Sequence, residues 1–306
     1  AFTCALCDRR YTKRVMHTHH KEIAILYHGG CPDGLGGAYA AWKKFGDTAD
    51  YIPVKHGLPV PEHIAGKKLY FVDFCYPKEI MDKLASEATS LTVLDHHLGV
   101  KDIVESMPEH VFDANHSGAV IAWHYFHPDA SLPAMLKYIE DGDLYKFALP
   151  HSREILAYMY TSPLLSSPFE HWDALIQKLD DSEELERIVQ AGAVFQQYQE
   201  HVVENAVNHA ELVRFEGFEC YLAGTSGEFV SDTGNRLAIK RPPLALILSA
   251  SAAGLRVSLR SDGSVNVATI AQKYGGNGHP AASGFMIPFG KDVPWEIVKK
   301  DEHSRD

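Results

Sequence analysis

The sequence is short of cysteine, of cationic charge and of long apolar runs. Its five cysteines, Cys4, Cys7, Cys31, Cys75 and Cys220, follow no framework spacing, so reduced thiols or metal ligands are expected rather than disulfides. Lys and Arg number 29 against 40 Asp and Glu, a formal net charge of −11 with His neutral. Gripping a long nucleic-acid duplex requires a basic surface, so this balance argues against such a partner. It leaves room for a small anionic substrate, because a bound cation supplies positive charge locally. No apolar stretch reaches the length of a membrane span, and the opening "AFTCALCDRRYTKRVMHTHHKE" has no signal-peptide core. A cytoplasmic protein with no membrane partner is the expectation. Internal repeats and low-complexity tracts are also missing. The 306 residues suit two ordinary domains better than one.

What is present begins with alternation. "EIAILYH" (22–28) reads as a strand, "GGCPDGLGG" as a loop and "AYAAWKKF" (38–45) as a helix. "KLYFVDF" (68–74) and "SLTVLDHH" (90–97) read as strands around the helix "PKEIMDKLASEA" (77–88), with Pro77 at its start. Strand and helix in alternation imply a parallel sheet with helices on its faces, and in such sheets sites lie at the carboxyl ends of the strands. Residues 117–160 read as mostly helical, and 181–213 as one long helix capped by Asp181 or Ser182. "ECYLAG", "PLALILSAS" and "LRVSLRS" are then short strands of a second unit. The expected organisation is an N-terminal segment (1–21), a parallel α/β domain (22–180), a connecting helix (181–210) and a smaller α/β domain (211–306).

His28, Asp33, Asp73, Asp95, His96, His97, Asp141 and Asp143 all fall at the ends of apolar segments. Each alone has a plainer reading: Asp33 as a turn residue, Asp141 or Asp143 as a helix cap, a lone His as a satisfied core group. As a set they are different. Converging carboxylates repel unless they protonate or bind cations. Mixed imidazole and carboxylate donors suit manganese, iron, zinc or cobalt, and a pair of such ions can activate water and brace a phosphoryl group.

Five motifs in order, "HGGCPDGLGGA" (28–38), "FVDF" (71–74), "LDHH" (94–97), "YIEDGDLY" (138–145) and "GGNGHPAASGF" (275–285), resemble those of the DHH phosphoesterase superfamily, in its subgroup with a DHHA1 C-terminal domain. The resemblance implies a DHH domain and a DHHA1 domain with the active site in the cleft between them. It implies two divalent ions, manganese first, with iron, cobalt, zinc and magnesium as alternatives. His28 would bind the first ion, Asp33 and His96 the second, and Asp73 would bridge them. Asp95 would support from beside Asp73, and His97 would face the scissile phosphate. Asp141 aligns as the last metal ligand, with Asp143 as the runner-up. His279 and the glycines Gly276 and Gly278 would hold the substrate, with Arg260 as a phosphate clamp or simply a strand arginine.

Departures from the family pattern concern Cys31, the spacing from His28, which is one residue shorter than in the family, and Asn277. Where the family has Asp-x-Asp, this chain has Cys31-Pro32-Asp33, so Cys31 is either a softer ligand or a small packed hydrophobe. Asn277 replaces a common glycine. The glycines of "PDGLGGA" either open a helix toward an anion or form a tight turn. "NHSGAV" (115–120) offers a second helix start, with His116 and Ser117 near the phosphate. Separately, Cys4 and Cys7 in C-x-x-C spacing, followed by His17 and His20, suit a small structural zinc turn, although the gap is shorter than in zinc fingers.

The expected activity is metal-dependent hydrolysis of phosphodiester bonds by metal-activated water. Its substrates would be short oligonucleotides, cut exonuclease-like from an end, or small nucleotides. Tyr145 and Phe147 are candidates for stacking on bases, or for the core. The alternatives are a phosphomonoesterase or polyphosphate hydrolase with the same metal chemistry, or a non-catalytic nucleotide-binding module in which Cys31 marks a degraded site. The sequence leaves the oligomeric state open.

Overall fold

The computed structural model describes residues 21–161 and 169–298. Its N-terminal sheet has five parallel strands, β1 (Ile23–His28), β2 (Ala49–Val54), β3 (Lys68–Val72), β4 (Ser90–Asp95) and β5 (Glu109–Phe112), in the order β2-β1-β3-β4-β5. A strand covered on both faces must be apolar on both, which is why β1, β3 and β4 read as continuous hydrophobic runs. Successive side chains alternate between two core layers. Ile25, Val72 and Leu94 pack on one side with helices α1 (Pro32–Phe45), α4 (Gly118–Phe126) and α5 (Ala134–Asp143). Ala24, Leu26, Phe71 and Val93 pack on the other with α2 (Lys78–Glu87) and α3 (Lys101–Glu105). The chain order reverses at β1, between β2 and β3. The crevice expected at such a switch point opens beyond the carboxyl ends of β1 and β3.

Helices α6 (Ser152–Thr161) and α7 (Glu170–Asp180) lead into α8 (Ser182–Asn208). Asp181 caps α8 by accepting from the amides of Glu183 and Glu184 at 2.9 and 3.0 Å. The helix ends earlier than the spacing predicts: residues 211–215 form β6 (Glu211–Phe215), where cross-strand pairing outweighs helical periodicity. Sheet pairing also makes strands of β2 and β5, which the sequence reading left unassigned.

The second sheet has seven strands. It comprises β6, β7 (Phe218–Gly224), β8 (Leu244–Ser251), β9 (Gly254–Ser261), β10 (Asn277–Gly278), β11 (Ala282–Pro288) and β12 (Trp295–Ile297), in the order β10-β11-β9-β8-β7-β6-β12. Only β7 and β8 pair in parallel. Helix α10 (Val267–Lys273) covers one face with Leu246, Val257 and Leu259, and α9 (Val230–Lys240) covers the other with Ala245 and Ile247. The fold is therefore the mixed α/β arrangement expected: a parallel sheet first, a smaller mixed sheet second. No helix among the described residues is long and apolar enough to cross a membrane.

Candidate active site

β1, β3 and β4 end together, and each ends on polar groups. His28 closes β1, Asp73 follows β3 and Asp95 closes β4, with His96 and His97 next. Asp73 sits at φ +55°, the left-handed region, a local cost of about 1–3 kcal/mol that the surroundings must offset. Its amide donates to the Leu94 carbonyl at 2.9 Å, and its Oδ2 lies 3.3 Å from His28 Nδ1. A Cβ on Gly118 would stand 2.6 Å from Asp73 Cβ, so only glycine fits there.

His96 is the hub. Its Nε2 lies 3.3 Å from Asp73 Oδ1, 3.5 Å from Asp143 Oδ2 and 3.7 Å from Asp33 Oδ2. Asp33 is 1% exposed and accepts from the amides of Gly118 and Ala119 at 2.7 and 2.9 Å, so the N-terminus of α4 points at this carboxylate. Asp95 Oδ1 accepts from the amides of His96 and His97 at 2.7 and 2.9 Å and lies 2.8 Å from His97 Nδ1. That contact fixes the imidazole's orientation and leaves Nε2 to face outward.

Ionisation follows these contacts. Burial pushes Asp33 well above the ordinary carboxylate range, and the charges of Asp143 and Asp73 push it further. Asp143 is pushed up to about 6, first by burial, while the charge of His96 works against the shift. Burial also works upward on Asp73, but the approach of His28 and His96 outweighs it and holds this carboxylate below its usual range. Burial disfavours a charged His97, yet Asp95 raises it to about 10. Partial burial beside His97 and His96 pushes His279 down to about 4, and it stays neutral.

The donor set fits divalent cations. Asp73 Oδ1, Asp95 Oδ2 and His96 Nε2 are buried and have no hydrogen-bond partner. A buried polar atom left unpaired costs about 1–3 kcal/mol, and of these three Asp73 Oδ1 and His96 Nε2 face each other at 3.3 Å among the carboxylates of Asp33 and Asp143. Among the described residues, ligand atoms lie within 4.8 Å of one another in the sets His28–Cys31–Asp73, Asp33–His96–Asp143, Asp73–Asp95–His97 and His96–His97–His279.

Asp141 does not join these sets. Its Oδ1 and Oδ2 accept from the amides of Ala148 and Leu149 at 2.9 and 3.1 Å, which pins the loop after α5. Residues two apart on a helix point in nearly opposite directions, so only one of Asp141 and Asp143 can face His96, and it is Asp143. Tyr145, Phe147 and His151 all take positive φ in the pinned loop.

Gly34 and Gly37 of the first motif serve neither an anion nor a turn. Gly34 and Gly37 lie inside α1, where a Cβ would stand 2.3 Å from the His28 carbonyl oxygen and 2.2 Å from Val72 Cγ1. They let the helix press against β1 and β3. Ser117 is fully buried as the N-cap of α4, and His116 Nδ1 lies 2.9 Å from Glu140 Oε2, so these residues build the scaffold rather than meet a phosphate. Arg260 lies against Gly234 and donates from Nη2 to Ser231 Oγ at 3.0 Å.

The C-terminal glycine-rich loop reaches the DHH segment. The His279 ring stacks on His97 at 4.8 Å between centroids. A Cβ on Gly276 would meet the Gly284 carbonyl oxygen at 2.1 Å, and one on Gly278 would meet Ser283 Cα at 2.5 Å, so both glycines shape the turn that presents His279. The Asn277 side chain takes space that only a glycine at position 99 leaves free: a Cβ there would lie 2.1 Å from its Oδ1.

Sequence reasoning named only two residues, Tyr145 and Phe147, of what borders the cluster on the other side. A cavity of about 900 Å³ opens at Cys31, Asp33 and Asp143 and runs between α6, α8 and α9. Tyr145, Phe147, Tyr160, Phe195, Tyr198 and Phe229 line it, whereas His97 and His279 do not. Arg153 lies 3.6 Å over the Phe147 ring, and the Tyr145 hydroxyl donates to Asp232 of α9 at 2.6 Å. Exposed aromatics on α8 were the available signal: Phe195 is 41% and Tyr198 62% exposed. Cys4, Cys7, His17 and His20 lie outside the described residues.

Comparison with known proteins agrees with this architecture. Residues 222–295 match the family model described as the DHHA1 domain. An uncharacterized protein of Acanthamoeba polyphaga mimivirus is 27% identical over 311 residues, covering 90% of this chain and 70% of the relative. An exopolyphosphatase-related protein from Bacteroides fragilis shares the fold at 14% identity and a TM-score of 0.51, over 89% of this chain and 88% of that one. RecJ from Thermus thermophilus in complex with Mn2+ aligns at 14% identity and a TM-score of 0.46, over 87% of this chain and 50% of that one. Residues 222–295 thus carry the DHHA1 match, and the four N-terminal motifs precede it in order on a fold shared with the exopolyphosphatase-related protein.

Proposed function

We propose that the chain is a metal-dependent phosphoesterase that hydrolyses phosphodiester bonds of short oligonucleotides or small nucleotides. The observation that carries this reading is the meeting of Asp33, Asp73 and Asp143 around His96 Nε2, with Asp33 and Asp143 also lining an aromatic cavity. His28, Asp33, Asp73, His96 and Asp143 would hold two divalent cations. When bound, such ions polarise the phosphoryl group and make water nucleophilic at neutral pH.

The chain's own residues do the rest. Asp95 keeps His97 protonated at Nδ1 and oriented, so that Nε2–H can donate to a phosphoryl oxygen as its charge grows. His279, neutral and stacked on His97, closes that side against water. On the opposite side the cavity receives the organic end of the substrate. Its six aromatic rings favour a base-bearing substrate over inorganic polyphosphate, since base stacking is worth about 1–3 kcal/mol per ring. The net charge of −11 favours short substrates over long ones.

The test is hydrolysis of a dinucleotide, a short end-labelled oligonucleotide, polyphosphate and a phosphomonoester, each with Mn2+, Co2+, Zn2+ and Mg2+. Turnover of the two nucleotide substrates is expected, with loss in Asp73→Asn and a fall of about 10²–10³ in kcat for His97→Ala. Nucleotide binding without turnover under every ion would make the chain a binding module. Turnover of polyphosphate alone would exclude the nucleotide reading.

A further inference from the structure

Cys31 is the N-cap of α1, with extended backbone angles of φ −118° and ψ 135°. An N-cap side chain stabilises a helix by accepting a bond from one of its first amides, which is why Ser, Thr, Asp and Asn lead at that position. Asp181, Ser117 and Asn266 do this for α8, α4 and α10. Cys31 makes no such bond, and sulfur is a weak acceptor. Capping therefore does not account for a thiol here.

Its surroundings do. The sulfur forms one corner of a set with His28 and Asp73, all ligand atoms within 4.8 Å. Asp73 is 2% exposed and turns Oδ2 to His28, 3.3 Å from Nδ1, while its unpartnered Oδ1 faces His96, so this one buried carboxylate presents an oxygen to each side. On the far side of Asp73 stands a second set, Asp33, His96 and Asp143. The two sets differ chemically. One offers an imidazole, a carboxylate and a sulfur. The other offers an imidazole and two carboxylates. Thiolate donors select zinc and other borderline or soft ions, whereas oxygen-rich sets suit manganese and magnesium.

We infer that the chain holds two unlike cation sites. His28, Cys31 and Asp73 form a thiolate site that takes zinc, cobalt or iron(II). Asp33, His96 and Asp143, with Asp73 reaching both, form an oxygen-rich site that accepts manganese or magnesium. This rests on the two-cation reading above and specifies which ion each half takes. On binding, the Cys31 thiol releases its proton to solvent and its sulfur bonds to the ion, with nothing oxidised or reduced. Burial and the charges of Asp73, Asp143 and Asp33 hold the free thiol well above its usual range, so the proton leaves as the ion binds.

The test is the near-ultraviolet spectrum of the full, chelator-stripped chain titrated with Co2+ and with Cd2+, run beside Mn2+ binding. A sulfur-to-metal charge-transfer band is expected in the wild type. It should persist in a Cys4→Ser, Cys7→Ser double variant and be lost in both Cys31→Ser and Cys31→Asp. Because Cys31→Asp replaces sulfur by a carboxylate, it should still bind Co2+ without the band and should bind Mn2+ more tightly than the wild type. If the wild type binds Co2+ or Cd2+ without the band, or if the band survives in both Cys31 variants, the thiolate site is overturned while the two-cation reading stands. A chain that binds no divalent cation overturns both.

Discussion

Asp141 and Asp143 divide two tasks that the sequence presents as interchangeable. Asp143 faces His96, and Asp141 holds the amides of Ala148 and Leu149. Asp143→Asn is accordingly expected to abolish the rise in Tm that Mn2+ produces. It should also raise the Tm of the chelator-treated protein, because one of the crowded carboxylates loses its charge. Thermal melts with and without chelator decide this, and a metal-induced rise that persists would remove Asp143 from the ligand set. Asp141→Ala should behave otherwise. Losing two charge-assisted hydrogen bonds should cost about 1.5–3 kcal/mol in urea unfolding, with cation binding preserved. Cation binding lost together with stability would mean that the two residues act as one unit.

At the scale of elements, the meeting of helix and strand decides the geometry. Alanine is the better helix former by about 1 kcal/mol, so helix propensity alone has Gly34→Ala and Gly37→Ala stabilise α1. The closeness of His28 O and Val72 Cγ1 reverses the sign: each variant should lose roughly 1–3 kcal/mol, measured by urea unfolding, through overpacking. A gain in stability would contradict the close approach. These glycines also show how far sequence reasoning reaches. The polar strand ends at His28, Asp73 and Asp95 to His97 were legible because apolar runs stop abruptly there. The reason for the glycines was not, because a helical glycine looks the same whether it meets an anion, a turn or a neighbouring backbone. Asp143 was ambiguous for a related reason. The end of α5 is set by the loop that Asp141 pins, and nothing local in "YIEDGDLY" fixes which carboxylate turns inward.

At the scale of the molecule, the two sheets meet at the site from both sides. His279 stacks on His97, Tyr145 bonds to Asp232, and Phe195 and Tyr198 of α8 with Phe229 ahead of α9 wall the cavity far in sequence from the first four motifs. Motif reading reaches Tyr145 and Phe147, beside the fourth motif, but not the rings of α8, which share no spacing with it. If the cavity receives a base, Tyr198→Ala should raise KM for a dinucleotide about tenfold, in line with one lost stacking contact, and leave kcat nearly unchanged. Steady-state kinetics on the dinucleotide, with a simple phosphomonoester as the control, checks this. An unchanged KM for the dinucleotide, or an equal rise for both substrates, would move the base elsewhere.

The central claim is that strand ends far apart in sequence converge on a pair of cations. Anomalous diffraction at the cobalt edge, from crystals of the protein grown with Co2+, tests it most directly. Two peaks are predicted, one among His28, Cys31 and Asp73 and one among Asp33, His96 and Asp143, with Asp73 reaching both. Cobalt bound elsewhere on the chain with no peak at these side chains would contradict it.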